Sequence, residues 1–270
     1  MAGSGKKKAA RGPDLATIGG FGFALVGIVG GLLLEGGELG DITQYTAAII
    51  VLGGTAGAVL INTPLRVVRG AIGGLGDVFF EKRDNAEAIV DSLIDYATRA
   101  RKNGLVALEA DAGQATDPFL KKALTLTVDG TDIQELRKML EVEIDMEEHR
   151  REAEAKVFEV AGGYAPTIGI IGAVMGLIQV MKNLSDIDKV GHGIAVSFVA
   201  TVYGVAVANI FLLPAANKIR SRTQDAVRMR EMILAGIIGI VEGLNPKLIR
   251  SALESYLEPE PAKGKKKKAG

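Results

Sequence analysis

Few side chains in this 270-residue chain could do chemistry, and their spacing excludes most of it. With no Cys there is no disulfide, no thiolate metal site, no thiol redox chemistry and no Cys nucleophile. The two His, His149 and His192, fall in segments that the charge pattern puts on opposite sides of a membrane, so they share neither a metal nor a proton-transfer task. HExxH, GxSxG and GxxxxGK[ST] patterns are absent, and Gly3-Ser-Gly5-Lys6 lacks the spacing with which a loop cradles phosphate. The chain reads as a non-enzyme without metal or cofactor. What remains is one hydroxyl-bearing face, Ser197, Thr201, Gly204 and Ala208, and one face of small residues, Ala165, Gly169, Gly172 and Gly176, with Pro166 and Pro214 close by. Small faces serve close helix packing and nothing more is required of them. A hydroxyl among them can also line an ion path. Each proline removes a backbone donor and permits a kink or hinge.

The elements that carry these residues follow from where charge is missing. Lys and Arg number 32 and Asp and Glu 32, a balance that argues against a nucleic-acid partner. The chain is 24% charged and 48% apolar, and the two classes occupy different stretches. Uncharged runs extend over Leu15–Leu34, Ile42–Leu65, Val160–Met181 and Val190–Asn217. A bilayer core needs about 20 helical residues, and one charge at mid-helix costs roughly 2.5–3.5 kcal/mol, so the four runs are expected to span. A cleavable signal peptide is disfavoured for the first, which is long and lacks an A-x-A site. Met232 to Val241 is too short to cross. The fold expected is all-α, a polytopic membrane protein with four transmembrane helices and a helical cytoplasmic domain.

Orientation follows from the bases. Thirty of the 32 Lys and Arg flank the runs on one side, which the positive-inside rule makes cytoplasmic, with both termini inside. The domains expected are a basic tail over 1–14, spans one and two over 15–65, a cytoplasmic helical domain over 66–159, spans three and four over 160–217, cytoplasmic helices over 218–257 and a disordered Lys-rich tail over 258–270. Within the cytoplasmic part, Asp84-Asn-Ala-Glu87 has the form of a capping box, Asp117-Pro118 opens a helix, and Thr131 or Asp132 caps a long one. Because no break precedes Val160, that helix is expected to run into the third span, and the fourth span to continue to Glu242. The two would form a stalk below the membrane. Asn245-Pro246 ends it, and Lys247 to Leu257 forms a last short helix. The Glu141 to Lys156 stretch reads as a solvated helix face, and the Lys-rich ends suit contact with anionic lipid or simple solubility. Gly27-x-x-x-Gly31, Gly53-x-x-x-Gly57 and Gly172-x-x-x-Gly176 read as close helix contacts.

No Asp, Glu, Lys or Arg lies within a span, although a protein that moves ions through a bilayer normally carries one there. Either no ion moves or a partner supplies the carboxylate. With that, Gly163-Tyr-Ala-Pro-Thr-Ile-Gly-Ile-Ile-Gly-Ala-Val-Met-Gly176, Ser197-Phe-Val-Ala-Thr-Val-Tyr-Gly204 and Leu213-Pro-Ala-Ala-Asn-Lys218 resemble the MotA/PomA family of flagellar motor stator proteins. The order of spans and insertion fits from Leu15 to about Leu257. The resemblance implies a homo-oligomeric ring, pentameric in the family, around a MotB-like one-span, peptidoglycan-binding partner that brings the membrane Asp. It also implies an inner-membrane location and torque on FliG, the rotor switch protein. Arg101 to Glu109 resembles the rotor-facing segment, which makes Arg101 and Glu109 its contact charges, with Glu143 a further one. Pro166 and Pro214 match the coupling prolines and Thr201 the hydroxyl beside the ion path, while the helical spacing of Gly169, Gly172, Gly176 and Gly204 makes them packing positions.

Two departures matter. Gly163 stands where some relatives carry an acid, which leaves that acid's role without a bearer here. Ala173 and Ala200 stand where sodium-driven relatives carry threonines. Sodium must exchange water for oxygen ligands, whereas a proton can reach a carboxylate through water, so the expected ion is the proton rather than sodium. Two other readings compete: an ExbB/TolQ-like proton-driven energiser of cell-envelope processes, and a membrane scaffold with no ion path. Four spans and the Arg101 to Glu109 segment favour the stator.

Overall fold

Hydrocarbon offers a backbone no water to bond, so an uncharged run of this length must pair its amides within itself. In the computed structural model, which describes residues 11–82 and 86–257, each run does so as a helix. A short strand β1 (Arg11–Pro13) leads into α1 (Leu15–Leu34), capped by the Asp14 carboxylate, which accepts from the Thr17 amide at 3.1 Å. The second span is a composite: a 3-10 turn (Leu39–Ile42), α2 (Tyr45–Ala48), a wide π turn (Ile49–Gly53) and α3 (Gly54–Asn62). It stops at Asn62 because Thr63 precedes Pro64 and is driven into the extended region, φ −133° and ψ 132°. Then come α4 (Leu65–Gly74), α5 (Gly76–Phe79), β2 (Phe80–Lys82), α6 (Ala86–Asn103), α7 (Glu109–Gln114) and α8 (Pro118–Val128). The chain closes with α9 (Ile133–Lys182), α10 (Ile187–Ala206), a second π turn (Val207–Leu212), α11 (Leu213–Val241) and α12 (Pro246–Glu254).

Four segments, Leu15–Leu34, Leu39–Asn62, Ile133–Lys182 and Ile187–Val241, are long and apolar enough to cross a membrane, as the charge-free runs predicted. The second begins at Leu39, three residues before the predicted Ile42, because Glu38 and Asp41 cap its first turn. The third span and its charged N-terminal extension are one unbroken helix of 50 residues. Asp132, not Thr131, starts it, its Oδ1 accepting from the amides of Gln134 at 2.9 Å and Glu135 at 3.4 Å. Asp117 caps α8 as expected, accepting from Leu120 at 2.8 Å with Pro118 in the first turn. The last helix is Pro246–Glu254, shorter than expected at its end. Asp84 and Asn85 of the proposed capping box, the first ten residues and the 258–270 tail lie outside the described residues.

Two compact units divide the chain differently from the boundaries drawn by charge. One comprises Arg11–Lys82 with His149–Thr223, the other, among the described residues, 86–148 with 224–257. The reason is packing on each side of the charge boundary. Val59 of α3 shares a buried cluster with Val68, Ala71 and Val78, with Ala155 and Phe158 of α9, and with Ala215 and Ile219 of α11. The sequence 66–82 therefore belongs with the spans despite its Arg and Asp residues. In the other unit Leu93, Leu108, Leu124, Leu136, Leu140, Met232, Ile233 and Ile237 form a second core, all at most 1% exposed.

One element departs from all-α and from a plain basic tail. β1 pairs antiparallel with β2, Gly12 opposite Glu81 and Pro13 opposite Phe80. The pairing delivers Asp14 to a buried position where its amide donates to the Phe79 carbonyl at 2.8 Å. Its carboxylate meets Lys218 Nζ at 2.5 Å and the Arg222 guanidinium at 2.6 Å, and Arg222 also donates to the carbonyls of Asp77 and Phe80. The first span is thereby fastened to α11, one turn of which supplies both bases. The Lys218 hydrogen bond, against the opposing effect of burial, holds the Asp14 carboxyl well below its ordinary value of 3.8. A carboxyl that titrates lower when folded contributes its full stability above its unfolded range and loses it as pH falls through and below that range. Asp14→Asn should lower the stability of the purified subunit by about 1–3 kcal/mol at neutral pH. The difference between variant and parent should shrink below about pH 4, which a thermal-shift series in detergent from pH 3 to 8 measures.

Candidate functional site

The small faces of α9 and α10 meet as a seam in which backbone approaches backbone. A Cβ built on Gly204 would stand 2.5 Å from the Ala165 carbonyl oxygen and 3.1 Å from the Gly169 Cα. One built on Gly169 would stand 2.9 Å from the Ala200 carbonyl oxygen and 3.4 Å from the Thr201 Cα. At Gly176 it would run into the Ser197 hydroxyl and lie 2.7 Å from the Gly193 carbonyl oxygen. The positions Gly169, Gly172, Gly176 and Gly204 thus meet across one interface. Gly172 faces Ala200 and Ile50, which brings the second span against the seam through Ala47, Val51, Val199 and Ala200. Of the three GxxxG patterns only this last behaves as expected within the chain. A Cβ at Gly27, Gly31, Gly53 or Gly57 meets nothing within 4 Å, and the close approach in the second span is at Gly54, against Ile168. Spacing alone does not say which face of a helix finds a partner.

Polar groups of the seam are satisfied along the helix. Ser197 is buried and its hydroxyl donates to the Gly193 carbonyl at 2.8 Å, and Thr201, half-buried, donates to the Ser197 carbonyl at 3.2 Å. A hydroxyl that spends its one proton this way keeps its oxygen lone pairs as acceptors. Ala200 is fully buried in the interface, while Ala173, next to Gly172, is half-buried. Tyr203 does what the sequence reading did not assign. Its hydroxyl donates to the Ile42 carbonyl at 2.5 Å and accepts from the Gln44 amide at 3.2 Å, at the break where the 3-10 turn ends and α2 begins. A broken helix exposed to lipid would leave those groups unbonded, at several kcal/mol each. The only advance signal was one hydroxylated aromatic in an uncharged run.

The two prolines belong to the same corner of the seam. Pro214 has no amide to return to the Ile210 carbonyl, and the turn before it widens, with the Leu213 amide donating to Ala208 five residues back. Pro166 cannot bond to Gly162, and Gly162 is the point at which Leu212 and Leu213 of the neighbouring helix press in, 2.7 Å from a built Cβ. Each proline therefore removes one amide donor from its helix where Gly162 and Leu213 bring the two helices together. Just outside, Arg220 bridges Glu152 at 2.8 Å and Glu159, tying α11 to α9, and Arg151 reaches Asp77 at 3.0 Å. Lys218 and Arg222, with Asp14, were missed as a cluster because their partner lies some 200 positions away. The i,i+4 bases directly after an uncharged run were the available hint.

In the other unit, Arg101 closes α6 and Glu109 opens α7, both exposed. Between them Gly104 turns the chain at φ +80°, a conformation that side chains other than glycine rarely adopt, and a 3-10 turn (Leu105–Leu108) buries Leu108 completely. Glu143, on α9, is half-buried and paired with Lys122 of α8. Among the described residues no group of His, Cys, Asp or Glu could hold a metal ion.

Four helices long and apolar enough to cross a membrane, a second helical unit and a hydroxyl-bearing, charge-free seam define a polytopic α-helical membrane protein. Residues 18–104 match the family model "Motility protein A N-terminal", and residues 111–232 match the "MotA/TolQ/ExbB proton channel family". Motility protein A of Bacillus subtilis (strain 168) is 34% identical over 94% of this chain and 93% of its own. The C. jejuni MotAB structure superposes with a TM-score of 0.87 at 31% identity, covering 92% of this chain and 98% of that one. The flagellar MotAB stator complex of Bacillus subtilis superposes with a TM-score of 0.84 at 33% identity, covering 91% and 96%. The chain belongs to the MotA family of flagellar stator subunits, a family of ion-channel and stator proteins and not of enzymes, and is a multi-pass protein of the bacterial inner membrane. The stator reading prevails over the ExbB/TolQ one.

If the seam is as tight as this geometry requires, Gly204→Val should abolish stable accumulation in membranes, an overpacking cost above about 3 kcal/mol. Gly27→Ala, in open space within the subunit, should leave its thermal midpoint unchanged or slightly raised. Immunoblots of membranes and melting of the purified subunit check both.

Proposed function

We propose that the chain is the ring-forming subunit of a proton-driven stator. In this reading a MotB-like one-span, peptidoglycan-binding partner brings the membrane Asp, and proton flow at that Asp becomes torque on FliG. The observation that carries it is the Thr201 hydroxyl, whose acceptor lone pairs lie within one of four runs that hold no Asp, Glu, Lys or Arg. A protonated carboxyl from a partner would find an acceptor there and no competing acid. That the two solved relatives are described as MotAB complexes supports a MotB partner and an oligomer. Self-association into a ring, pentameric in the family, suits α1, none of whose residues is buried within the subunit. Lipid would cover the rest. With 30 of 32 bases on one side, the termini and the Arg101 to Glu109 segment face the cytoplasm.

Protons rather than sodium are favoured because Ala173 and Ala200 offer no hydroxyl, so sodium would lack the oxygen ligands that must replace its water. The driving force is adequate, each charge crossing 100 mV releasing about 2.3 kcal/mol. Pro166 and Pro214 would serve as hinges between ion path and cytoplasmic helices. Arg101, Glu109 and Glu143 would present charge to the rotor.

Swimming speed in cells relying on this stator should track the proton gradient and ignore external sodium. Arrest on sodium removal would defeat the proton assignment. Glu109→Lys should cut torque per stator unit several-fold while the number of assembled units is kept, and a charge reversal on FliG should restore it. Bead assays that resolve stepwise unit recruitment separate the two quantities.

A further inference from the structure

The turn that carries Arg101 and Glu109 is closed at its base by a second pair of opposite charges, Arg99 two positions before it and Asp111 two positions after it. One guanidinium nitrogen of Arg99 lies 2.7 Å from Asp111 Oδ2, and the other lies 2.9 Å from Asp95 Oδ2 one turn back on α6. The guanidinium carbon stands 5.3 Å from the centre of the Tyr96 ring, so the flat group is held on one face as well as at both ends. The Asp111 side chain is 21% exposed and that of Arg99 36%, which shields the pair from salt and solvent more than an open surface bridge. Burial works against the Arg99 charge, and the adjacent Asp111 carboxylate more than offsets it, so the guanidinium holds its proton more tightly than usual. The Tyr96 phenol is pushed up, by burial first and then by the Asp111 charge.

Apart from Leu108, which anchors the middle of the turn in the core, this pair is the charged tie between the end of α6 and the start of α7. A guanidinium held between two carboxylates fixes the distance between the two helix ends, and its flat face stacks on a ring as a lysine ammonium does not. Two positions along, on either side, Arg101 and Glu109 inherit that geometry.

We propose that the Arg99–Asp111 ion pair is a positioning device that sets the spacing and direction of Arg101 and Glu109 for contact with the rotor. The proposal rests on the rotor-facing reading of that segment, and Arg99 itself makes no rotor contact in it.

The test has two arms in the full stator complex. The chain has no cysteine of its own, so spin labels at Asn103→Cys and Ala110→Cys report the turn directly. Their distance distribution should be narrow in the parent and with Asp111→Glu, and clearly broader with Asp111→Asn or Arg99→Gln. An unchanged width in both neutral variants overturns the proposal whatever the rotor does. In the bead assay, Arg99→Gln and Asp111→Asn should each reduce torque per unit at least twofold with unit number kept. The double variant should be no worse than either single one, and Asp111→Glu should recover most of the torque. FliG charge reversals that rescue Glu109→Lys should fail to rescue Arg99→Gln. Normal torque in Arg99→Gln beside an impaired Glu109→Lys refutes the positioning role and leaves the rotor contact standing. Normal torque in Glu109→Lys refutes the rotor contact and, with it, the purpose assigned to the pair.

Discussion

Lipid tails are as apolar as leucine, so spans gain no hydrophobic free energy by meeting each other and must associate through close packing. Here that constraint is met where the backbones of α9 and α10 touch through Gly169, Gly172, Gly176, Gly193 and Gly204. The rest of the membrane unit follows from that approach. Ser197 and Thr201 donate to carbonyls of their own helix, and this leaves the lone pairs of each hydroxyl oxygen as acceptors. The second span joins through Ile50, Ala47 and Val51, and its broken start is completed by Tyr203 from α10. Pro166 and Pro214 lie at the end of the same contact that carries Gly162 and the wide turn at Val207–Leu212, each removing a backbone donor there.

Where the lipid ends, charge returns at once and is paired. Asp14 takes Lys218 and Arg222, Arg220 takes Glu152 and Glu159, and the nearly buried Glu154 takes Arg150 and Arg151. Partly buried pairs of this kind add little net stability over apolar packing, but they penalise any other register. They hold the ends of the first, third and fourth spans in one arrangement. The other compact unit obeys different physics. Leu93, Leu124, Leu136 and Ile237 are driven together by water, and the exposed Arg101 and Glu109 are carried on a turn anchored by Leu108 and tied by Arg99 to Asp111.

Much was legible in the amino-acid order wherever a local rule dominates. Hydrocarbon forbids charge over about 20 residues, so the four spans stood out by composition. Caps such as Asp117 act within three residues, and helical periodicity without a break announced the long α9. The small faces later found in the seam were visible as i,i+4 spacing. The motif that makes the resemblance, with Thr201 and both prolines, lies on those same faces.

Other features turned on partners far away in the chain, for which no local pattern exists. Gly27 and Gly172 sit in the same GxxxG spacing, yet only Gly172 has a helix against it. Asp14 reads as an ordinary cap until β1 meets β2 and brings it to Arg222. The stretch 66–82 is set apart from the spans by its charge, yet Val68, Ala71 and Val78 share one buried cluster with Val59, Phe158 and Ala215. Periodicity and composition express what solvent each residue can tolerate, and so the order of residues decided which segments cross the membrane and which faces could pack. Only folding in three dimensions could choose which of those faces meet, because that choice depends on the shapes of two surfaces at once.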